Sequence, residues 1–180
     1  VCSRIGYGSC LGLMRVLGID PGTLVLGYGI VDEGEEGLTL VDCGVLSLPA
    51  RVSVEKRLSF LYQKLTELIT QHQPDDVAIE EPFVARNVRS ALAVGRAQAI
   101  AMLAAANQGL PVYYYAPTQV KQQVTNYGVS SKEQVQEMVK IQLGLSQFSF
   151  PEDATDALAV ALCHLRKIHL ERLLAKSEGR

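Results

Sequence analysis

Residues 15–32 read RVLGIDPGTLVLGYGIVD, and this stretch decides the fold. VLGID (16–20) is a short apolar run of strand-forming residues that stops at Pro21-Gly22, a turn signal, and LGYGIVD (26–32) resumes the pattern. The Gly/Glu-rich segment Glu33 to Gly37 breaks the chain again before LTLVDCGVLSL (38–48). Three strands joined by short polar breaks predict an antiparallel meander.

Working outward, Val54 to Gln71 carries Leu58, Leu61, Leu65, Leu68 and Ile69 at helical spacing, the stripe of a helix lying on a sheet. After Pro74 come a strand VAIE (77–80), a helix rich in small residues from Val88 to Asn107, and a strand PVYYYA from Pro111. A strand–helix–strand unit makes its strands parallel. Helices follow at Thr118–Asn126, Ser131–Leu143 and Asp153–Leu174. The expectation is an α/β protein, a five-stranded mixed sheet with helices on both faces. Residues 14–180 are expected to form a single domain, with 1–13 as an extension outside the fold.

At 180 residues, 48% apolar and 20% charged, the chain is an ordinary globular sequence, neither disordered nor collagen-like. Its longest apolar run, Ala99 to Ala106, is far short of the ~20 residues that cross a membrane, and the opening VCSRIGYGSCLGL lacks the continuous apolar core of a secretory signal. Cys2, Cys10, Cys43 and Cys163 show no zinc or redox spacing and read as reduced thiols, Cys43 and Cys163 in the core. A cytoplasmic protein is expected. The net charge of −2 conceals an asymmetry: Pro82 to Lys132 contains no Asp or Glu but holds Arg86, Arg89, Arg96, Lys121 and Lys132. An acidic cluster beside a basic half suits chemistry on a polyanion, although a solvated basic face would look the same.

The acids supply the other half. Asp20 ends a strand just before Pro21-Gly22, so its carboxylate should face a cleft, though Asp before Pro-Gly also suits a plain turn. Glu80 and Glu81 end another strand and alternation sends them to opposite faces, so only one can share Asp20's cleft; periodicity leaves open which. In PEDATDALAVAL (151–162), Asp153 and Asp156 project from one side of a helix start, where Glu152 is equally able to serve the backbone N–H groups. Carboxylates from three distant segments, with no His or Cys pattern, form a hard oxygen donor set that selects Mg²⁺ or Mn²⁺ over zinc.

GIDPGTLVLGYGI around Asp20, AIEEPF around Glu80, VKQQV around Lys121, SSKEQVQEM around Lys132 and DATDALAVA around Asp153 and Asp156 occur in this order from about Arg15 to His164. The ordered set resembles the RuvC family of Holliday-junction resolvases. That resemblance implies an RNase H-like fold and a homodimer. It implies a Mg²⁺-dependent crossover junction endodeoxyribonuclease, with two ions per active site and Mn²⁺ able to substitute. Opposed strands of four-way junction DNA would be nicked symmetrically, in recombination and repair, leaving 5′-phosphate and 3′-hydroxyl ends, with the RuvA-RuvB branch-migration complex as partner. By the motif, Asp20, Glu80, Asp153 and Asp156 are its catalytic and metal-binding acids. Lys121 and Lys132 match phosphate-holding positions, and Phe83 matches an aromatic that stacks on an unpaired base. Arg86 and Arg89 join them as expected DNA contacts. One departure stands out: Asn126-Tyr127-Gly128 replaces the family's frequent Gly-x-Gly, a change that Asn can bear because it tolerates left-handed backbone.

Rival readings are a YqgF-type nuclease of the same fold, a junction-binding module without chemistry, and an actin-like ATPase lobe. The two lysine segments favour RuvC over the first, the full set of acids disfavours the second, and the lack of a second phosphate loop disfavours the third.

Overall fold

The structure, a computed structural model, describes residues 13–81, 88–145, 147 and 149–178. Five strands, β1 (Met14–Asp20), β2 (Val25–Gly34), β3 (Gly37–Ser47), β4 (Asp76–Glu80) and β5 (Val112–Tyr115), form one sheet in the order β3-β2-β1-β4-β5. β1, β2 and β3 pair antiparallel as a meander, while β4 lies parallel to both β1 and β5. Parallel pairing requires a crossover, and α2 (Val88–Asn107) supplies the one between β4 and β5.

Alternation along the strands feeds two cores. Leu17, Ile19, Leu26, Ile30, Val77 and Ile79 meet α1 (Val54–His72) and α2 on one face. Val16, Val31, Ala78 and Tyr115 meet α3 (Pro117–Thr125), α4 (Lys132–Gln142) and α5 (Glu152–Glu178) on the other. The expected mixed sheet with helices on both faces is therefore found. α5 runs past the expected end at Leu174, its exposed last turns carrying Leu170, Leu173 and Leu174 at the surface.

From Ala154 to Leu165 every residue of α5 is buried except Asp156, which is half-buried. A helix apolar all round must be enclosed, here between the sheet and α3–α4. Its seat depends on missing side chains. A Cβ on Gly18 would overlap the Ala157 carbonyl oxygen, and one on Gly27 would overlap that of Asp153. One on Gly29 would lie 2.6 Å from Leu158 Cδ2. The three glycines cut a trough across β1 and β2 in which the backbone of α5 rests.

At the far side of the same helix, His164 is fully buried and hydrogen-bonded on both ring nitrogens, Nδ1 2.7 Å from the Tyr115 hydroxyl and Nε2 2.8 Å from Asp76 Oδ2. These bonds tie α5 to β4 and β5. Cys163 is buried in the core and Cys43 packs half-buried against it; both thiols are free. Arg15 clamps the meander, with Nε and Nη2 on the two oxygens of its cross-strand partner Asp32 at 2.6 and 2.7 Å.

Candidate active site

The site is assembled where the parallel strands end. β1 and β4 run side by side with Ile19 opposite Ile79, so Asp20 and Glu80, one residue on, rise from neighbouring strand ends about 5 Å apart in backbone. Asp20 shares its face with Val16 and Gly18, and Glu80 shares its face with Ala78, the face covered by α5. Glu81 points the other way and is exposed. The choice between the two glutamates, open to periodicity, follows from where α5 lies.

The trough brings the helix acids in. Gly27 is the cross-strand partner of Asp20, and its bare Cα lies against the Asp153 carbonyl, so the first turn of α5 sits over the strand next to Asp20. Asp153 and Asp156 are both half-buried. Asp156 and Glu80 line a cleft of about 260 Å³ whose other walls include Pro117, Val120 and Lys121 from α3 and Lys132 and Val135 from α4.

Local sequence sets both lysines. Pro117 stands at the first position of α3, which carries Lys121 one turn on. Ser131 caps α4, its Oγ accepting from Gln134 N at 3.3 Å while Gln134 Oε1 accepts from Ser131 N at 2.9 Å, and this holds Lys132 at the helix start. Lys132 Nζ then bridges Glu152 Oε1 at 2.7 Å and Asp156 Oδ2 at 2.9 Å.

Electrostatics show the acids acting on one another. Burial, then the charges of Asp156 and Asp153, pushes Asp20 up to about 7, with Lys132 opposing. Burial, then Asp20 and Asp156, pushes Glu80 up to about 7 against Lys132 and Lys121. Asp156 is also raised, chiefly by burial, despite its bond to Lys132. Partial burial lowers Lys132, but its bonds to Glu152 and Asp156 outweigh that and leave it raised. Among the described residues no three His, Cys, Asp or Glu side chains are drawn together as a ready metal shell. Asp156 is turned onto an ammonium. The donor chemistry nevertheless suits a hard divalent cation, because carboxylates held up by burial and by each other's charge gain most from a cation among them.

The structure thus brings Asp20, Glu80, Asp153 and Asp156 to one end of the sheet, with Lys121 and Lys132 on the rim. Phe83 and Arg86 lie outside the described residues; Arg89 falls in the first turn of α2, its side chain likewise outside them. Asn126 takes the left-handed conformation expected of it, φ 63°, ending α3. Sequence reasoning missed the Glu152–Lys132 pair and the seating role of Gly18, Gly27 and Gly29. The glycines were signalled by their spacing, two apart on one face of β2 and, in register with Gly29, on β1.

A mixed sheet in 3-2-1-4-5 order, with acids at adjacent central strand ends beneath the start of a final helix, is an RNase H-like fold. Comparison with known proteins narrows this to one family. Residues 16–164 match the family described as "Crossover junction endodeoxyribonuclease RuvC", and the chain belongs to it. The crossover junction endodeoxyribonuclease RuvC of Dehalococcoides mccartyi is 53% identical over 151 residues, 84% of this chain and 90% of that protein. That of Chloroflexus aggregans is 50% identical over 151 residues, 84% and 92% of the two chains. Among solved structures, Thermus thermophilus RuvC in complex with a Holliday junction substrate matches with a TM-score of 0.82 and 35% identity, covering 88% of this chain and 96% of that one. The yeast mitochondrial Holliday junction resolvase, 16% identical, shares the fold with a TM-score of 0.60 and covers 83% and 77%.

Proposed function

We propose that this chain resolves Holliday junctions in recombination and repair, as a metal-dependent endonuclease whose catalytic acids are Asp20, Glu80, Asp153 and Asp156. What supports the reading is that β1, β4 and α5 carry these acids to one end of the sheet, where Glu80 and Asp156 line one cleft with Lys121 and Lys132, in a chain of the RuvC family. Asp20 and Glu80, rigid at the ends of paired strands, and Asp153 and Asp156, rigid on a helix seated in the glycine trough, would hold two Mg²⁺ ions, with Mn²⁺ as substitute. Such ions activate water and neutralise charge on a phosphodiester. Lys121 and Lys132 orient the scissile phosphate from the rim, so that the bond lies in line with the attacking oxygen. Phe83 is assigned to DNA contact by family resemblance, and Arg86 and Arg89 by their place in the basic stretch from Pro82 to Lys132 that holds no Asp or Glu.

The active form is a homodimer matching the two-fold symmetry of its substrate. The outward face of α2 supports a second copy there: Val88, Leu92, Met102 and Leu103 are exposed, with small Gly95 and Ala99 between them. This apolar stripe adjoins the face whose Ala97, Ala101, Ala104 and Ala105 pack inward. The small residues of α2 therefore serve internal packing first. The RuvA-RuvB complex as partner and the cytoplasm as site of action are proposed on family resemblance. Among the described residues no helix is long and apolar enough to cross a membrane.

A four-way junction labelled on each strand in turn tests the reading. Paired nicks at symmetric positions on two opposed strands, resealable by ligase because they carry 5′-phosphate and 3′-hydroxyl ends, are expected in Mg²⁺ and absent in chelator. Cuts that are unpaired, not ligatable, or indifferent to chelator would contradict it.

A further inference from the structure

Glu152 is an acid at the head of α5 with no place among the proposed metal ligands, yet it is not idle. Its Oε1 lies 2.7 Å from Lys132 Nζ, and the same ammonium lies 2.9 Å from Asp156 Oδ2. The Glu152 side chain is 59% exposed and that of Asp156 19%, so one lysine spans a rim acid and a site acid. Lys132 reaches them from a different helix, its backbone held by the Ser131 cap. An ammonium this close to a carboxylate oxygen competes with any metal ion for that oxygen, since two cations cannot share it without strong repulsion. It also stands where a positive charge offsets part of the repulsion among Asp20, Glu80 and Asp156.

We propose that Glu152 is a positioning residue that keeps Lys132 at the rim of the acid site: without metal, Lys132 bridges Glu152 and Asp156, and when a divalent ion takes Asp156, Glu152 retains the ammonium beside the phosphodiester's entry. The inference rests on the reading that the acids hold a divalent cation. Lys132 and the ion compete for Asp156, so removing the ammonium tightens metal binding. Glu152 gives Lys132 somewhere else to go, so removing its charge leaves Lys132 with Asp156 alone and weakens metal binding. Because Glu152 acts through Lys132, its effect vanishes when Lys132 is neutral.

The test is Mn²⁺ binding by calorimetry, without DNA, on the full chain and on Lys132→Met, Glu152→Gln and the double variant; both side chains are about half exposed and lie outside the two cores, so the fold is not at stake. Lys132→Met is expected to tighten Mn²⁺ binding about 3- to 5-fold, and Glu152→Gln to weaken it about 3-fold, in keeping with a partly exposed ion pair. In the Lys132→Met background, Glu152→Gln should change affinity by less than about 1.5-fold, the signature of a coupled pair. Equal weakening in both backgrounds would show that Glu152 acts by bulk charge alone and would overturn the inference while leaving the metal site standing. Absence of Mn²⁺ binding by the unaltered chain would overturn the metal site itself and the inference with it.

Discussion

Gly27→Ala probes the link between sheet packing and chemistry. A Cβ at residue 27 would overlap the carbonyl oxygen of Asp153 and stand 3.2 Å from Ala154 N, backbone atoms of a buried helix that no side-chain rotation can move aside. Relief requires the first turn of α5 to lift by about 1 Å, because the interior is close-packed. Overpacking costs about 1–3 kcal/mol, and a backbone neighbour puts Gly27→Ala at the upper end. For a chain of this size that lowers Tm by about 6–12 °C. The lifted turn carries Asp153 and Asp156 away from Asp20 and Glu80, and a misplacement of ~1 Å costs roughly 100-fold in rate. Thermal unfolding and single-turnover junction cutting, the latter below both melting points, measure the two effects. Unchanged Tm and cutting rate in Gly27→Ala would refute the seating of α5 in the glycine trough.

Other outcomes follow from the same geometry. Asp20 is raised from 3.8 to about 7, so folding favours its protonated form: its stabilising contribution is complete below about pH 4 and is lost as pH rises through 7. In chelator, Asp20→Asn should therefore stabilise the protein by on the order of 2 kcal/mol at pH 8 and not at pH 4; equal gains at both pH values would contradict this. Asn126 at φ 63° should accept Gly without loss, whereas Asn126→Val should cost about 1–2 kcal/mol in denaturant unfolding; equal stability of the two would show that the turn is not left-handed. Asp76→Ala strands the fully buried His164 without its Nε2 partner and should cost about 1–3 kcal/mol; a neutral result in the same assay would mean that the pair is not buried as described.

Much of this was legible in the sequence because local signals agreed with the global fold. Pro21-Gly22 and the Glu33–Gly37 break marked the meander, and Leu61, Leu65 and Ile69 marked the face of α1 that is buried. What stayed open required a tertiary fact. Alternation could send Glu80 and Glu81 apart but not say which faced Asp20, since that depends on which side of the sheet α5 covers. Glu152 and Asp153 were equivalent as helix-start acids until α4 offered Lys132 to the first of them. The buried Asp76–His164–Tyr115 chain joins residues 88 and 49 positions apart, a pairing no local pattern encodes.

The central claim is that Asp20 and its three companion acids perform metal-dependent chemistry on a four-way junction. Its most direct measurement sets the unaltered chain beside Asp20→Asn on a synthetic junction, binding assayed in chelator and cutting assayed in Mg²⁺. The account predicts equal binding and a fall in cutting of at least about a thousandfold, ~4 kcal/mol of transition-state stabilisation. Cutting by Asp20→Asn at the unaltered rate, or binding by the unaltered chain with no cutting in Mg²⁺, would contradict it.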